Sequence, residues 1–589
     1  MTANVAGGEV AGLLAFADTA DIDDFVAGLQ RYERGEMPPD EFRAFRLARG
    51  TYGQRQPDVS MLRVKIPLGV MTAAQLRAVA DVAERWSRGF GHVTTRQNFQ
   101  LHMVKMVDVE AAQRHLAETG LTTREACGNT VRNVTGCPMA GVGVHEPFDV
   151  TAVGQAIARH FLRKPENQRL PRKFKIAVSC CPHDCAKGAI NDVGLIAKMK
   201  DGQPGFMMNV AGGLSTSPEA AHTLHEWLPV DEVIPWIEAT LDVFDRMGNR
   251  QNRARARLKF VLRKMGWEAF SGELHRVRDA ARAAGRGPEP IDLTAAAALA
   301  RSPSLPLAFS RQTTPEETQA LAAFRKTNVV AQRQAGFVAV TLRLRRGDIT
   351  AAQMRALADL AVKHADGTIR LTVDQNLLLR FVSQSRLVEV WRELVAIGIA
   401  DAGASTIADV TSCPGADTCN LAVTGSRELA TALSAALEGD PKRADAIDRG
   451  KDLDIKISGC PNSCGQHHIA AIGFHGAVRR VGGKAVPEYM LHLGGGVDAD
   501  GAQFGRQGVR VPARRAPEAL LRIVALIDRE KLAGERAVTT LRRLEIDAIK
   551  EALGDVLVVT EQSLAAEEYL DVGTDQPFAV HTGEGECAA

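Results

Sequence analysis

The chain has 589 residues, of which 45% are hydrophobic and 24% charged, and its formal net charge is +2. This length exceeds a single hydrophobic core, and the balanced charge argues against a general nucleic-acid or membrane-surface binder. No apolar run reaches membrane-spanning length, and the first residues lack the basic start of a signal peptide, so we predict a cytoplasmic protein. Ten cysteines in a reducing compartment favour metal or redox chemistry over disulfides.

An internal repeat organises the chain. TAAQLRAVADVA begins at Thr72 and TAAQMRALADLA begins at Thr350, an offset of 278 residues. RQNFQLH from Arg96 is matched at the same offset by DQNLLLR from Asp374, and RNVTGCP and ADVTSCP follow in the same order. Matches that keep their order and spacing indicate two copies of one unit. We therefore predict two units packed about a pseudo-two-fold axis.

Each unit opens with alternating strand and helix patterns. In the first unit, VSMLRVKIPLGV alternates like a strand, TAAQLRAVADVAERW has helical spacing and HVTTRQNFQLHMV alternates again. A strand–helix–strand unit of this size fits a ferredoxin-like half-domain. Residues 284–318 are rich in Pro and Ala and are typical of a linker between the units.

The last of these predicted strands carries polar residues at five alternating positions, and apolar residues alternate on its other face. A buried polar face requires a polar partner or open water, and a large polycarboxylate cofactor supplies such a partner. We therefore predict that this face binds a cofactor. The five positions are Thr94, Arg96, Asn98, Gln100 and His102.

Two lysines are separated by one residue in LPRKFKIAV. On a predicted strand, Lys173 and Lys175 leave the same face about 7 Å apart at their Cα atoms, with Phe174 on the other face. Two ammonium groups aimed together are unfavourable unless an anion lies between them. Arg63 and Arg132 have a similar setting, although a solvated surface side chain is the default for any single basic residue.

The second unit places four cysteines on two short turns. Four thiolates suit a 4Fe–4S cluster or a structural zinc ion. The first pair has five intervening residues, whereas structural zinc pairs favour two to four, so the spacing favours iron–sulfur. Proline after the first cysteine of each pair stops a helix from running through the turn. The four are Cys413, Cys419, Cys460 and Cys464.

The first unit repeats only part of this set. By the repeat register, Cys137, Cys181 and Cys185 match three of the four, and Gly143 stands where Cys419 would be. Cys127 or Cys180 is a candidate for the missing ligand. Three aligned thiols rarely hold a cubane, so we expect a relic of duplication with inert thiols, and a second metal centre is the alternative.

These motifs resemble the sirohaem and 4Fe–4S sulfite and nitrite reductase family, and most of all its assimilatory sulfite reductase haemoprotein. MLRVKIPLG, TTRQNFQLH, RNVTGCP, LPRKFK, TSCPGADTC and SGCPNSCG occur in family order between Tyr52 and Arg542. The resemblance implies that the four second-unit cysteines ligate the cluster and that Cys464 also bridges to the sirohaem iron. It implies that the strand from Arg96 to His102 contacts sirohaem. The residues it implies for anion binding and proton delivery are Arg63, Arg132, Lys173 and Lys175.

The predicted fold is α+β (mixed α/β) and internally duplicated, with two ferredoxin-like half-domains and two sirohaem/cluster-type α/β domains about a pseudo-two-fold axis. We predict seven segments, two of which are extensions wrapped on the outside. They are an N-terminal extension (1–55), a first half-domain (56–122), a sirohaem/substrate domain (123–283), a linker (284–325), a second half-domain (326–402), a 4Fe–4S/sirohaem domain (403–545) and a C-terminal tail (546–589).

The resemblance implies six-electron reduction of an anion, and we predict sulfite with nitrite as the alternative. Nitrite reductases of the family tend to have asparagine at the second position of the Lys-x-Lys pair, where this chain has Lys175. Sulfite can carry one more negative charge than nitrite, so an additional cation suits it. No flavin or nicotinamide motif is visible, so we expect a separate electron donor, either a ferredoxin or a flavoprotein subunit.

Two other functions are more distant alternatives. One is a monooxygenase resembling precorrin-3B synthase; such proteins contain the same cluster turns but are usually shorter than this chain. The other is a binding protein stabilised by a structural zinc ion, which would have no redox role and no colour. The basic run RARARLK, from Arg253 to Lys259, is a candidate contact for sirohaem carboxylates or an acidic ferredoxin, but a solvated helix face is the default for such a run.

Overall fold

The computed structural model describes residues 2–303, 312–438, 452–583 and 585–586. In this part of the chain, no helix combines the length and hydropathy needed to cross a bilayer. The bounds of the seven predicted segments stay a prediction. The helices are α1 (Thr2–Leu13), α2 (Thr19–Glu33), α3 (Pro39–Ala48), α4 (Ala73–Trp86), α5 (Val109–Ala117), α6 (Thr151–Phe161), α7 (Val233–Met247), α8 (Leu258–Met265), α9 (Trp267–Ala283), α10 (Pro315–Asn328), α11 (Ala351–His364), α12 (Leu387–Ala396), α13 (Ser426–Glu438), α14 (Ala516–Glu530), α15 (Ala537–Arg543) and α16 (Ile546–Leu553).

The strands of the first unit come first along the chain. They are β1 (Thr51–Gly53), β2 (Val59–Val64), β3 (Val70–Thr72), β4 (Phe90–Val93), β5 (Phe99–Lys105), β6 (Thr135–Gly136), β7 (Ile176–Ser179), β8 (Val193–Lys200), β9 (Gln203–Val210) and β10 (His222–Pro229). Those of the second unit are β11 (Val329–Ala331), β12 (Phe337–Leu342), β13 (Asp348–Thr350), β14 (Thr368–Leu371), β15 (Leu377–Ser383), β16 (Thr411–Ser412), β17 (Ile455–Ser458), β18 (Ile472–Val481), β19 (Lys484–Leu493), β20 (Gly496–Asp498), β21 (Gly501–Gln503) and β22 (Arg506–Pro512).

The two half-domain sheets exchange one strand each. One sheet has the order β1-β2-β5-β4-β13 and the other has the order β11-β12-β15-β14-β3. Strand β13 of the second unit thus pairs with β4 of the first, and β3 of the first unit pairs with β14 of the second. The predicted duplicated α+β architecture is confirmed, and the exchange binds the two half-domains into one body.

The repeated TAAQ motif starts the central helix of each half-domain. The hydroxyls of Thr72 and Thr350 accept hydrogen bonds from the amides of Gln75 and Gln353, and each glutamine side chain accepts from the amide of its threonine. This reciprocal capping box satisfies two amides that helix ends leave unpaired. Helices α4 and α11 then bury their apolar faces in one core that both half-domains share.

The two larger sheets bring the cysteine turns together. Their orders are β10-β9-β8-β7-β6 and β16-β17-β18-β19-β22, and in each the first three strands along the chain are parallel. Cys137 and Cys413 directly follow β6 and β16, and the two Cys-Pro-x-x-Cys turns follow β7 and β17. Because the carboxyl ends of neighbouring parallel strands lie at the same edge of a sheet, the two cysteine turns of each unit meet there.

The prediction of one continuous strand over residues 92–104 is wrong. Strand β4 ends at Val93 and β5 begins at Phe99, and the two pair as an antiparallel hairpin. The Thr94 amide donates to the Asn98 carbonyl at 2.9 Å, and the Thr94 hydroxyl accepts from the Asn98 amide at 3.2 Å. Gln97 takes a left-handed φ of 52°. Threonine side chains compete with strand ladders for nearby amides in this way, and the turn results.

The Lys-x-Lys pair lies just before β7 and not within it. The Phe174 amide donates to the Thr130 carbonyl at 3.0 Å, and the Arg132 amide donates to the Phe174 carbonyl at 2.8 Å. Phe174 is fully buried. The backbone is therefore extended enough to turn Phe174 into the core and to present Lys173 and Lys175 on the other side.

Candidate active site

One cavity is lined by all thirteen side chains that the sequence analysis assigned to binding or catalysis. It holds about 1190 Å³ of space not filled by protein atoms, part of it open to solvent. The thirteen are Arg63, Thr94, Arg96, Asn98, Gln100, His102, Arg132, Lys173, Lys175, Cys413, Cys419, Cys460 and Cys464.

The β4–β5 hairpin supplies the polar wall. Strand β5 contributes Gln100 and His102, and the turn contributes the other three predicted positions. The Thr95 hydroxyl at the tip of the turn donates to the Cys464 carbonyl at 3.1 Å. The hairpin of the first unit therefore contacts the cysteine turn of the second unit, and the cavity is built from both.

The four cysteines form the sulfur wall. Cys413 and Cys460 are buried, and Cys464 is exposed. The Gly459 amide donates to the Cys413 sulfur at 3.2 Å. Burial raises the pKa of Cys460, and the charges of the other three thiols raise it further. The other three thiols thus lie near enough to Cys460 to disfavour its thiolate, and a bound cationic centre relieves that repulsion.

A segment of the first unit fastens the first cysteine turn. The Arg55 amide donates to the Thr418 carbonyl at 2.9 Å, and its guanidinium donates to the Cys419 carbonyl at 3.2 Å. The Gln56 side chain donates to the Asp417 carbonyl at 2.7 Å. Sequence reasoning missed these contacts, because residues so far apart along the chain share no motif.

Arg63 and Arg132 lie side by side on the basic wall. Arg63 Nη1 and Arg132 Nε both donate to the Ala126 carbonyl, at 3.3 and 3.0 Å. Arg132 also donates to the Gly128 carbonyl at 3.2 Å. These backbone carbonyls hold the two guanidinium groups in place on the cavity wall.

Two cations of the cavity have lowered pKa values. Burial moves the pKa of Lys175 well below its usual range. The positive charges of Arg96 and Arg257 lower this pKa further, whereas the negative charge of Asp192 raises it. Burial also lowers the pKa of Arg96 to about 9, with Arg132 adding to the shift. An ammonium whose pKa lies closer to the working pH transfers its proton more readily.

An acidic residue that sequence reasoning missed holds the lysine in place. The Lys175 amide donates to Asp192 Oδ2 at 2.9 Å, and Arg257 Nη2 donates to the same oxygen at 2.8 Å. The side chains of Asp192 and Arg257 are both buried. A buried ion pair with this geometry fixes the backbone that carries the cavity lysine.

The default of a solvated face for RARARLK is wrong for its second half. Arg253 and Arg255 are exposed, but Arg257 and Lys259 are buried. The Lys259 ammonium donates to the Gly213 carbonyl at 3.2 Å and also to the carbonyl of Leu214. Asp192 and these carbonyls supply the partners that burial of a cation requires, and nothing in the run itself indicates them.

Unsatisfied groups of the polar wall indicate a missing ligand. Both ring nitrogens of His102 are buried and, among the described residues, have no hydrogen-bond partner; the same holds for Nε of Arg96. Buried polar atoms of native proteins are nearly always paired. Four thiols, a basic wall and a large cavity fit a 4Fe–4S cluster beside a carboxylate-bearing tetrapyrrole. A lone zinc ion would use only the thiols.

The first-unit cysteines form a separate group within the core of their own domain. Thiol contacts of Cys137 with Cys180 and Cys185 accompany a raised pKa of Cys137. Cys127 packs instead against Leu47 and Met61, so Cys180 is the thiol that adjoins the aligned set. That this group holds no metal stays a prediction. The group comprises Cys137, Cys180, Cys181 and Cys185.

Family comparisons match most of the chain. The nitrite and sulphite reductase 4Fe-4S domain matches residues 127–279 and 403–560, once in each unit. The nitrite/sulfite reductase ferredoxin-like half domain matches residues 52–119 and 330–397. Both models therefore match twice, in the order that the internal repeat predicts.

Individual relatives give the same result as the two family models. A sulfite reductase (ferredoxin) of Mycobacterium tuberculosis is 30% identical over 498 residues, which are 83% of each chain. A ferredoxin–nitrite reductase of Synechococcus elongatus is 31% identical over 460 residues, 77% of this chain and 83% of the relative. The solved structure of the Mycobacterium tuberculosis NirA protein superposes with a TM-score of 0.74 at 27% identity, covering 89% of this chain and 95% of that one. The chain therefore belongs to the nitrite and sulfite reductase family, whose enzymes carry sirohaem and a 4Fe–4S cluster.

Proposed function

We propose that the chain reduces sulfite to sulfide. The observation that carries the proposal is the pair Lys173 and Lys175, which lines the cofactor cavity together with Arg63 and Arg132. Four cations that line one cavity favour the more highly charged of the two candidate anions. Nitrite carries less negative charge, so the second lysine suits sulfite better.

The cysteines are the proposed cluster ligands. Cys413, Cys419, Cys460 and Cys464 lie on the cavity wall and would hold the cluster. Cys464, the exposed one of the four, would also hold the sirohaem. The polar hairpin from Thr94 to His102 is the proposed partner of the sirohaem carboxylates. Its unsatisfied His102 and Arg96 nitrogens support that assignment.

The bound cofactors supply the electrons and the iron that takes up the anion. The chain itself performs three tasks. Arg63 and Arg132 hold the anion's oxygens by charge-assisted hydrogen bonds. Lys173 and Lys175 donate protons from Nζ to oxygens that leave as water, and the lowered pKa of Lys175 suits it to that transfer. Asp192 accepts a hydrogen bond from the Lys175 amide and so fixes the backbone that carries this lysine.

Nitrite reduction to ammonium is the second candidate. It is favoured by the Synechococcus relative, whose name gives nitrite as substrate and whose identity of 31% is close to the 30% of the Mycobacterium tuberculosis sulfite reductase. Because both anions bind through the same cations, we expect weaker turnover of nitrite at the same site.

The proposed electron donor is a ferredoxin. The names of relatives from both substrate classes include a ferredoxin, and the chain has no nicotinamide or flavin motif of its own. A flavoprotein subunit is the alternative. We propose a cytoplasmic location, because a cluster held by thiolates suits a reducing compartment.

Anaerobic turnover with reduced viologen tests the substrate. The purified holoenzyme is given sulfite or nitrite in separate reactions, and sulfide and ammonium are quantified. A higher kcat/KM for sulfite supports the proposal, and a higher value for nitrite replaces it with the second candidate. Visible sirohaem bands without either product overturn both, and favour the monooxygenase alternative. Repeating the assay with reduced ferredoxin and with a flavoprotein reductase tests the donor.

A further inference from the structure

Four histidines of the second unit form a cluster that does not line the cofactor cavity. Strands β18 and β19 pair with Gly473 opposite His492, so His475 and His492 lie on the same face of the sheet. The short helical turn His467–Ile469 places His467 over them. The ring centre of His467 lies 5.0 Å from that of His475 and 4.7 Å from that of His492, and those two are 5.0 Å apart.

The nitrogen atoms of three of these rings converge. One ring nitrogen from each of His467, His475 and His492 lies within 4.8 Å of the others. His475 Nδ1 and His492 Nε2 are 2.8 Å apart. All three rings are buried, and neither ring nitrogen of His467 has a hydrogen-bond partner among the described residues. A fully buried imidazole without a partner is an exception that requires an explanation.

The fold itself does not require these histidines. The first unit contains the same strand pair, with Gly194 opposite Asn209 where the second unit has Gly473 opposite His492. Gly188 and Ile196 occupy the positions of His467 and His475 in the aligned turn and strand. A glycine, an aliphatic residue and an amide thus satisfy the same backbone, so the three imidazoles serve a purpose particular to the second unit.

We propose that His467, His475 and His492 bind one divalent transition-metal ion, and that Zn²⁺ is the ion they take. Three histidines with an open fourth position are a known ligand set for zinc, and imidazole favours zinc and its neighbours over magnesium or calcium. Zinc–nitrogen bonds of about 2.0–2.1 Å hold the nitrogens of a tetrahedral site about 3.3 Å apart. The three ring nitrogens lie within 4.8 Å of one another, so they need to shift by at most about 1.5 Å.

Outer contacts support this ligand set. His492 also hydrogen-bonds the backbone of Gly505, and a backbone bond on one ring nitrogen is the usual way in which the other is aimed at a metal. His468 is the fourth ring of the cluster, but its Nε2 lies 2.9 Å from the Ser215 carbonyl of the first unit. His468 therefore links the two units beside the site and is not one of the three ligands.

Metal analysis of the holoenzyme tests the proposal. The protein is incubated with zinc sulfate, desalted and measured for zinc and iron by mass spectrometry. We expect about one zinc per chain in addition to the cofactor iron, and at least a tenfold loss of zinc in His475→Gln and His492→Gln with iron unchanged. His222→Gln, which changes an exposed histidine on β10, is the matched control and should keep its zinc. Zinc below about 0.1 per chain in the parent protein, or equal zinc in all variants, overturns the site.

Zinc-edge X-ray absorption of the parent protein keeps the test independent of variant folding. A first shell of nitrogen at about 2.0–2.1 Å, with imidazole scattering and no sulfur, supports the three-histidine site. A sulfur shell at about 2.3 Å would assign the zinc to cysteines and would overturn the proposal. Neither readout depends on turnover, so the result stands apart from the substrate question.

Discussion

Gln97 and Gln375 make equivalent hydrogen bonds across the boundary between the two units. The Gln97 side-chain amide donates to the Leu371 carbonyl at 2.7 Å, and that of Gln375 donates to the Val93 carbonyl at 3.1 Å. Both glutamines take a left-handed backbone conformation, with φ of 52° and 66°. The pseudo-two-fold axis is therefore maintained by single side chains as well as by the exchanged strands.

These glutamines also connect the half-domains to the cysteine turns. The Gln97 carboxamide oxygen accepts from the Gly136 amide and that of Gln375 accepts from the Ser412 amide, each at 2.8 Å. Replacing either glutamine with alanine leaves buried backbone groups unpaired, at about 1–3 kcal/mol for each group. We expect Gln97→Ala and Gln375→Ala each to lower the unfolding free energy by about 2–4 kcal/mol, measured by urea denaturation. Gln384→Ala, at an exposed site, is the control, and equal stability of all three variants would contradict the prediction.

Lys175→Asn should shift the preference from sulfite towards nitrite. The change removes one cation from the anion site and preserves a polar side chain of moderate size. We expect the ratio of kcat/KM for sulfite to that for nitrite to fall by about 10-fold or more, since each factor of ten corresponds to about 1.4 kcal/mol of differential binding. Lys105→Asn, at the exposed end of β5, removes the same charge elsewhere. An unchanged ratio in Lys175→Asn would contradict the proposal that the charge of Lys175 favours sulfite.

Cys464→Ser should remove the cluster and the sirohaem bands together. A serine hydroxyl is a far poorer ligand for iron than a thiolate, and Cys464 is the exposed thiol at the cavity. Iron content and visible absorption measure the effect. Cys185→Ser is the matched control, because Cys185 occupies the same position of the first-unit turn. It should keep both signals, and loss of iron from that variant would indicate a metal centre in the first unit.

Much of the cavity could be predicted from the sequence because many of its residues follow short-range patterns. Residues spaced two apart, such as Gln100 and His102 or Lys173 and Lys175, point to the same side of the chain even where the strand is interrupted. The turn at Thr94 was missed because one hydroxyl competes with the strand ladder.

Long-range contacts account for the rest. Asp192 and Arg257 are 65 residues apart, and neither has a distinctive neighbourhood in the sequence. The burial of Lys259 likewise depends on carbonyls of residues 213 and 214, which no local pattern can indicate. His467, His475 and His492 converge only because β18 pairs with β19. Such partners become visible when the tertiary structure is known.

The pH dependence of turnover should report Lys175. Burial and neighbouring cations lower its pKa, so the ammonium loses its proton at a lower pH than an ordinary lysine. If it donates protons during reduction, activity falls as the pH rises through that lowered pKa, and the alkaline limb of kcat moves towards neutrality. Lys175→Arg keeps the charge but cannot titrate in this range, so its alkaline limb should disappear. Lys105→Arg should retain the parent profile; the same alkaline limb in Lys175→Arg would assign the proton to another group.

Asp192→Asn should destabilise the protein and weaken the anion site at the same time. Asparagine keeps the shape but removes the charge that pairs with buried Arg257, and leaving one partner of a buried ion pair uncompensated costs about 3–5 kcal/mol. The Lys175 amide also loses a charged acceptor, so we expect the KM for sulfite to rise. Urea denaturation and steady-state kinetics measure the two effects. Asp201→Asn, in an exposed turn, is the control and should change stability by less than about 0.5 kcal/mol. A similarly small change in Asp192→Asn would show that the ion pair neither stabilises the domain nor positions Lys175.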